Sequence, residues 1–215
     1  NCGNESTCTF DVTITDTALV DVVVQLTGSE PTTRCIHFDG DDCGNSSDHE
    51  LTFLDAGPDA VATATIEVPC GPWTTICAKD EQHTKWSGPS GLVLSGTKWL
   101  ATSTLVLDGG DTDNDGDVDI NDVTLLLSQF GTGALDGDCP WDGTRDSDFS
   151  NNGFVGSEDY SFLAAYWLSQ SFSCCTAPLT GGARRGLWMD VPVADDRTAA
   201  ADLNGDGRVN VRDVE

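Results

Sequence analysis

DTDNDGDVDIND, residues 111–122, sets carboxylates at alternate positions around a glycine and closes with another three residues on. A hard divalent ion such as Ca²⁺ takes about six to eight oxygens, and a twelve-residue loop supplies them from positions 1, 3, 5, 7, 9 and 12 with glycine at 6. Asp111, Asp113 and Asp115 fill positions 1, 3 and 5, and Gly116 makes the turn. Asp117 offers its backbone carbonyl, and Asp119 and Asp122 complete the set. Val118, at position 8, is the apolar residue expected to pair two such loops through a short strand.

Two further stretches repeat the pattern. DLNGDGRVNVRD (202–213) offers Asp202, Asn204, Asp206, the carbonyl of Arg208, Asn210 and Asp213, with Val209 at position 8. DFSNNGFVGSED (148–159) offers Asp148, Ser150, Asn152, the carbonyl of Phe154 and Asp159, with Val155 at position 8 and Gly156 where a ligand would stand. Affinity follows ligand charge, so this loop, with two carboxylates, is expected to bind least tightly. A degenerate loop kept for its shape is its other reading. Two to three calcium ions are expected.

The loops end in Asp, no helix leads into the first, and apolar stretches of helical character follow the first two, VTLLLSQF (123–130) and YSFLAAYWL (160–168). These features resemble dockerin repeats, the duplicated calcium modules of bacterial secreted proteins, over about residues 108–170 and 200–215. The resemblance implies that calcium holds this part together and that it docks into a cohesin domain on a scaffold. Two features depart from that pattern. The loops are far apart, with cysteine-bearing inserts between them. The positions that would read a cohesin hold Ile120-Asn121, Ser157-Glu158 and Val211-Arg212, where the family usually has Ser or Thr.

Upstream, residues 1–107 read as β. TFDVTIT, LVDVVVQL, TRCIHF, ELTFL, AVATATIEV, GLVLS and KWLATSTLVL are short runs, several alternating apolar with polar residues, separated by Gly, Pro, Asn and Asp clusters. An antiparallel β-sandwich is expected, followed by a small α part built on calcium loops (108–172) and a tail with the third loop (173–215). Trp73, Trp86 and Trp99 are expected in the sandwich core, the alternative being a sugar-stacking platform.

The chain has 215 residues and a formal charge of −26, which argues against nucleic acid or anionic membrane as partner. No run approaches the roughly 20 apolar residues of a membrane span. Nine cysteines point to an oxidising compartment. Proximity suggests the pairs Cys2/Cys8, Cys35/Cys43 and Cys70/Cys77, leaving Cys139, Cys174 and Cys175, an odd set. The N-terminus lacks a signal segment, so a mature secreted form is expected, extracellular or at the cell surface. Sequons at Asn4 and Asn45 are candidate glycosylation sites.

No catalytic motif occurs, and the three histidines, His37, His49 and His83, form no recognisable constellation in sequence. A non-enzymatic protein is therefore expected. The leading reading is a calcium-stabilised structural subunit that assembles with copies of itself into a fibre or surface layer, because an odd number of loops leaves one without a mate. The alternative is an anchoring protein whose carbohydrate-binding sandwich is tethered to a cohesin-like partner.

Overall fold

The computed structural model describes residues 17–41, 46–70, 73–135, 137–171, 174, 191–192 and 208–209. Strand β1 (Thr17–Leu26) alternates strictly, burying Val20, Val22, Val24 and Leu26 on one face. It pairs antiparallel with β5 (Ala60–Pro69) so that Val20 faces Ile66, Val22 faces Ala64, Val24 faces Ala62 and Leu26 faces Ala60. Beyond the Val20–Ile66 pair, branched residues on one strand thus lie beside alanines on the other, which fills the layer without crowding.

The remaining strands are β2 (Thr33–Gly40), β3 (Ser46–Thr52), β4 (Leu54–Asp55), β6 (Thr75–Lys79), β7 (Ser90–Ser95), β8 (Lys98–Ala101) and β9 (Leu105–Leu107). They form one sheet in the order β3-β2-β6-β7-β8-β1-β5-β4, with β9 also on β1. The sheet folds back on itself until it nearly closes, and the His49 ring of β3 reaches the carbonyl of Glu67 in β5 at 2.8 Å. Strand β7 makes the corner, pairing Ser90 and Gly91 with β6 and Leu92–Ser95 with β8. The chain is mostly β, as its alternation indicates, but the sheet is mixed: β8 and β9 both run parallel to β1. The expected single strand 98–107 breaks at 102–104, where the Thr102 amide turns to the Gly91 carbonyl. Of the three tryptophans, Trp73 is buried in the core, Trp99 is half-buried against it and Trp86 is half-buried beside His37. Trp73 lies so close to Gly40 that a Cβ there would sit 2.4 Å from its ring, so Gly40 serves packing inside a strand.

The proximity pairings of Cys35 with Cys43 and Cys70 with Cys77 are not the ones formed. Cys35 bonds Cys139 and Cys77 bonds Cys174, at separations of 104 and 97 residues. Neighbouring strands β2 and β6 are thereby tied to the insert between the first two loops and to the segment beyond the second. Sequence proximity misleads here because those segments return to cover the sheet. Cys2, Cys8, Cys43 and Cys175, and the sequon asparagines Asn4 and Asn45, lie outside the described residues.

Two helices follow the sheet, α1 (Ile120–Gln129) and α2 (Ser157–Tyr166). Residues 1–176 make one compact unit and 177–215 another, so the sheet and the first two loops belong together where the sequence reading divided them at 107/108. In the second unit, β10 (Val191–Pro192) pairs antiparallel with β11 (Arg208–Val209). The other residues of the third loop, Asp202, Asn204, Asp206, Asn210 and Asp213, lie outside the described residues.

A buried polar network joins sheet and loops. Arg34 Nε donates to Asp80 at 2.8 Å, both side chains nearly inaccessible, and its Nη2 lies 3.1 Å from His83 Nδ1. Burial pushes the His83 pKa down to about 3, with the Arg34 charge adding to it, so the ring is neutral and Nδ1 accepts. Arg34 also reaches the Asn151 side chain of the second loop, and Asn151 donates to Ser29 at 2.8 Å. At the same junction Phe162 of α2 packs on Gly28 and Gly109, and Tyr166 donates to Asp108 at 2.7 Å. Cross-links spanning about 100 residues restrict the unfolded chain strongly. Replacing Cys35 and Cys139 together by Ala should therefore cost roughly 3–5 kcal/mol, read by denaturant unfolding of the calcium-loaded protein. A loss under about 1 kcal/mol would contradict the assigned link.

Candidate metal centre

The first two loops superimpose position by position with an offset of 37, since 148 − 111 = 37 and the helices start at 120 and 157. Asn114 and Asn151 take left-handed φ of 62° and 55°, and Gly116 and Gly153 of 92° and 89°. Those conformations favour Gly and Asn. They let the chain wrap its amides around the first carboxylate: Asp111 accepts from the Asp115 and Gly116 amides, each at 3.1 Å, and Asp148 from Asn152 and Gly153 at 3.1 and 2.8 Å.

The twelfth residue does two jobs. Asp122 accepts from Thr112, Asp113 and Asp119 amides at 2.7, 3.2 and 2.8 Å, while Asp119 caps α1. Asp159 repeats this with Ser150 and Gly156 at 2.9 and 2.8 Å. The capping is reciprocal at α1, while at α2 Gly156 has no side chain and only the Asp159 half is made; each helix starts three residues before its apolar run. The final Asp is therefore a helix-capping residue as well as a candidate ligand.

Position 8 behaves differently from expectation. Val118 and Val155 do not pair with each other. Val118 exchanges backbone bonds with Leu168 and Ser169, just beyond α2, and Val155 with Gly131 and Thr132, just beyond α1. Each loop thus clasps the segment leaving the other's helix. Both valine side chains are buried in a second core with Leu126, Phe149 and Leu163. This crossed arrangement makes the two loops one body.

Electrostatically the loops are unlike. In the first, the carboxylate tips of Asp111, Asp113 and Asp115 lie within 4.8 Å of one another, as do those of Asp117, Asp119 and Asp122. Asp117 thus brings its side chain, where the sequence pattern assigned only its carbonyl. Burial, then mutual repulsion, raises Asp113 and Asp117, and burial raises Asp111 despite a neighbouring lysine. Burial pushes Asp122 up to about 6 against the pull of its amide donors. One buried oxygen each of Asp113 and Asp117 has no hydrogen-bond partner. An all-oxygen, anionic donor set with unfilled acceptors fits a hard cation. The second loop is closed by its own bonds: Ser150 Oγ donates to Asp148 at 3.1 Å, the Asn152 amide nitrogen to Glu158 at 2.6 Å, and the Phe154 amide to Asn152 Oδ1 at 2.9 Å.

Sequence reasoning missed Lys79. Its ammonium, on β6, lies 2.7 Å from Asp111 with both side chains essentially buried, and no sequence pattern links a strand residue to a loop 32 positions away. Lys79 offsets part of the loop's negative charge.

Because Asp122 is raised, the calcium-free first loop holds a proton near pH 6 that a divalent ion must displace. Calorimetric calcium titrations in buffers of different ionisation enthalpy should show proton release at pH 6 and almost none at pH 8. Equal, buffer-independent heats at both would contradict the crowded geometry.

Residues 146–215, about a third of the chain, match the family model of the dockerin type I domain. The match takes in the second and third loops and leaves out the first, which shares the second's local fold. No curated protein matches the chain. The chain is thus dockerin-like, resembling in its C-terminal part a family that binds calcium and docks onto cohesins.

Proposed function

We propose that this is a non-catalytic, extracellular anchoring protein whose calcium-ordered helix pair docks onto a cohesin-like partner. In this reading a calcium ion is held in the first loop by Asp111, Asp113, Asp115, Asp119 and Asp122, with Asp117 completing the shell. The third loop, with three carboxylates, holds another. The second loop keeps the same shape through hydrogen bonds and binds weakly.

The observation that carries docking is the surface the loops create. Ile120, Val123, Tyr160, Leu163, Ala164 and Trp167 line an open groove of about 400 Å³ between α1 and α2. Ile120, Tyr160 and Trp167 are about half or more exposed. Two aromatic rings and an isoleucine beside a shallow groove form the kind of cluster that anchors a protein partner. Ile120 sits at a position where dockerins read their cohesin, so an aliphatic side chain there selects a partner with an apolar docking face. The carbohydrate-platform idea draws no support from Trp73, Trp86 and Trp99, which are buried or half-buried. Self-assembly draws on the odd third loop and on the N-terminal segment with Cys2 and Cys8, which lie largely outside the described residues. The first two loops clasp each other, and nothing among the described residues favours a second copy over a cohesin.

Binding to a panel of immobilised type I cohesin domains should appear in calcium and vanish in EDTA. Ile120→Ala and Trp167→Ala should each weaken it at least roughly tenfold, as expected for central anchors, without changing calcium affinity. Calcium-dependent dimers in light scattering, with no cohesin bound, would overturn docking and restore self-assembly.

A further inference from the structure

Away from the acidic loops, the outer face of β2 and β3 carries a second cluster. His37 and Asp39 stand two residues apart on one face of β2, and the register places Asp48 of β3 directly opposite His37. Glu81, just after β6, closes the group. His37 Nδ1 lies 2.6 Å from Asp48 Oδ1 and 4.0 Å from Glu81 Oε2, while Nε2 lies 3.5 Å from Asp39 Oδ1. Ligand atoms of His37, Asp48 and Glu81 all fall within 4.8 Å of one another; His37 and Asp39 are largely shielded, Glu81 is half-buried and Asp48 lies at the exposed rim.

An ordinary ion pair accounts for only part of this. Even a protonated imidazole balances one of three carboxylates, leaving a surplus of two negative charges. Lys79, the cross-strand neighbour of His37 on β6, favours the Glu81 carboxylate from a distance, but its ammonium is paired with Asp111 at 2.7 Å. The two sides of the ring are also differently equipped: one nitrogen faces two carboxylates that can share an ion, the other a single carboxylate that can take its N–H. A carboxylate behind a ligating histidine is the usual support of a metal-bound imidazole. Tetrahedral zinc at about 2.0–2.1 Å from each donor spaces its ligands by about 3.3 Å. The observed 2.6 and 4.0 Å straddle that value, so small side-chain adjustments suffice.

We propose that His37 Nδ1, Asp48 and Glu81 bind a borderline divalent transition-metal ion of the zinc class, with Asp39 orienting the ring through Nε2–H. Imidazole is the donor that separates this site from the calcium loops, since hard ions prefer oxygen alone. Three protein ligands leave a position for water.

Cobalt(II) added to the full chain in excess calcium serves as the probe. The expected result is one visible-absorbing Co²⁺ per chain, displaced by Zn²⁺. His37→Gln should abolish the band, and Asp39→Asn should weaken Zn²⁺ binding by about 10- to 100-fold, as supporting residues of metal sites do. His49→Gln and Asp113→Asn should leave the band intact. Near-UV circular dichroism reports whether His37→Gln folds, and if it does not, Glu81→Gln decides by the same loss. Absence of a band in the wild type, or its persistence in a folded His37→Gln or Glu81→Gln protein, overturns the site.

Discussion

Six aspartates share one twelve-residue turn, and their repulsion is the constraint to which the loop region is built. Burial makes it worse at Asp111, Asp113, Asp117 and Asp122, because a charge there surrenders water and feels its neighbours through a poorer dielectric. The chain answers with backbone amides folded onto Asp111 and Asp122 and with the buried ammonium of Lys79. Those donors do not exhaust the acceptors, since Asp113 and Asp117 each retain a buried oxygen without a partner. In the proposed reading a divalent ion supplies what is missing.

That local requirement reaches the rest of the compact unit through the crossed clasp. Ordering the first loop fixes Val118, which holds the segment leaving α2, while Val155 of the second loop holds the segment leaving α1. The segment leaving α2 also carries Ser171 and Cys174, tied to Trp86 and Cys77 of the β part. The clasp thus holds α1 and α2 on either side of the groove. In the proposed reading calcium and partner binding are coupled, because the ion would order the surface the partner uses, which is linkage through a shared ordered state.

Much of this was legible in residues alone. The alternation of Val20, Val22 and Val24 announced a half-buried strand, and Gly116 and Gly153 marked the left-handed turns. Other features depend on contacts that no local pattern encodes. TICAK (75–79) is too short and too uniformly buried to show period two, so β6 went unseen, and with it Lys79. The disulfides run between segments about 100 residues apart, where proximity is no guide. His37 and Asp48 are 11 positions apart and meet only because a hairpin register sets them face to face. The helix starts were legible in principle, since an Asp three residues after Asp119 is a capping signal, although as metal ligands the same residues had already been given another role.

Thermal unfolding of the full chain in saturating calcium and in EDTA tests the central claim most directly. A ligand present at about a thousand times its Kd adds roughly 4 kcal/mol, which for a unit of this size raises Tm by about 10 °C. The account predicts such a rise in a single transition seen alike by β-sheet circular dichroism and tryptophan fluorescence. An identical Tm with and without calcium would contradict it.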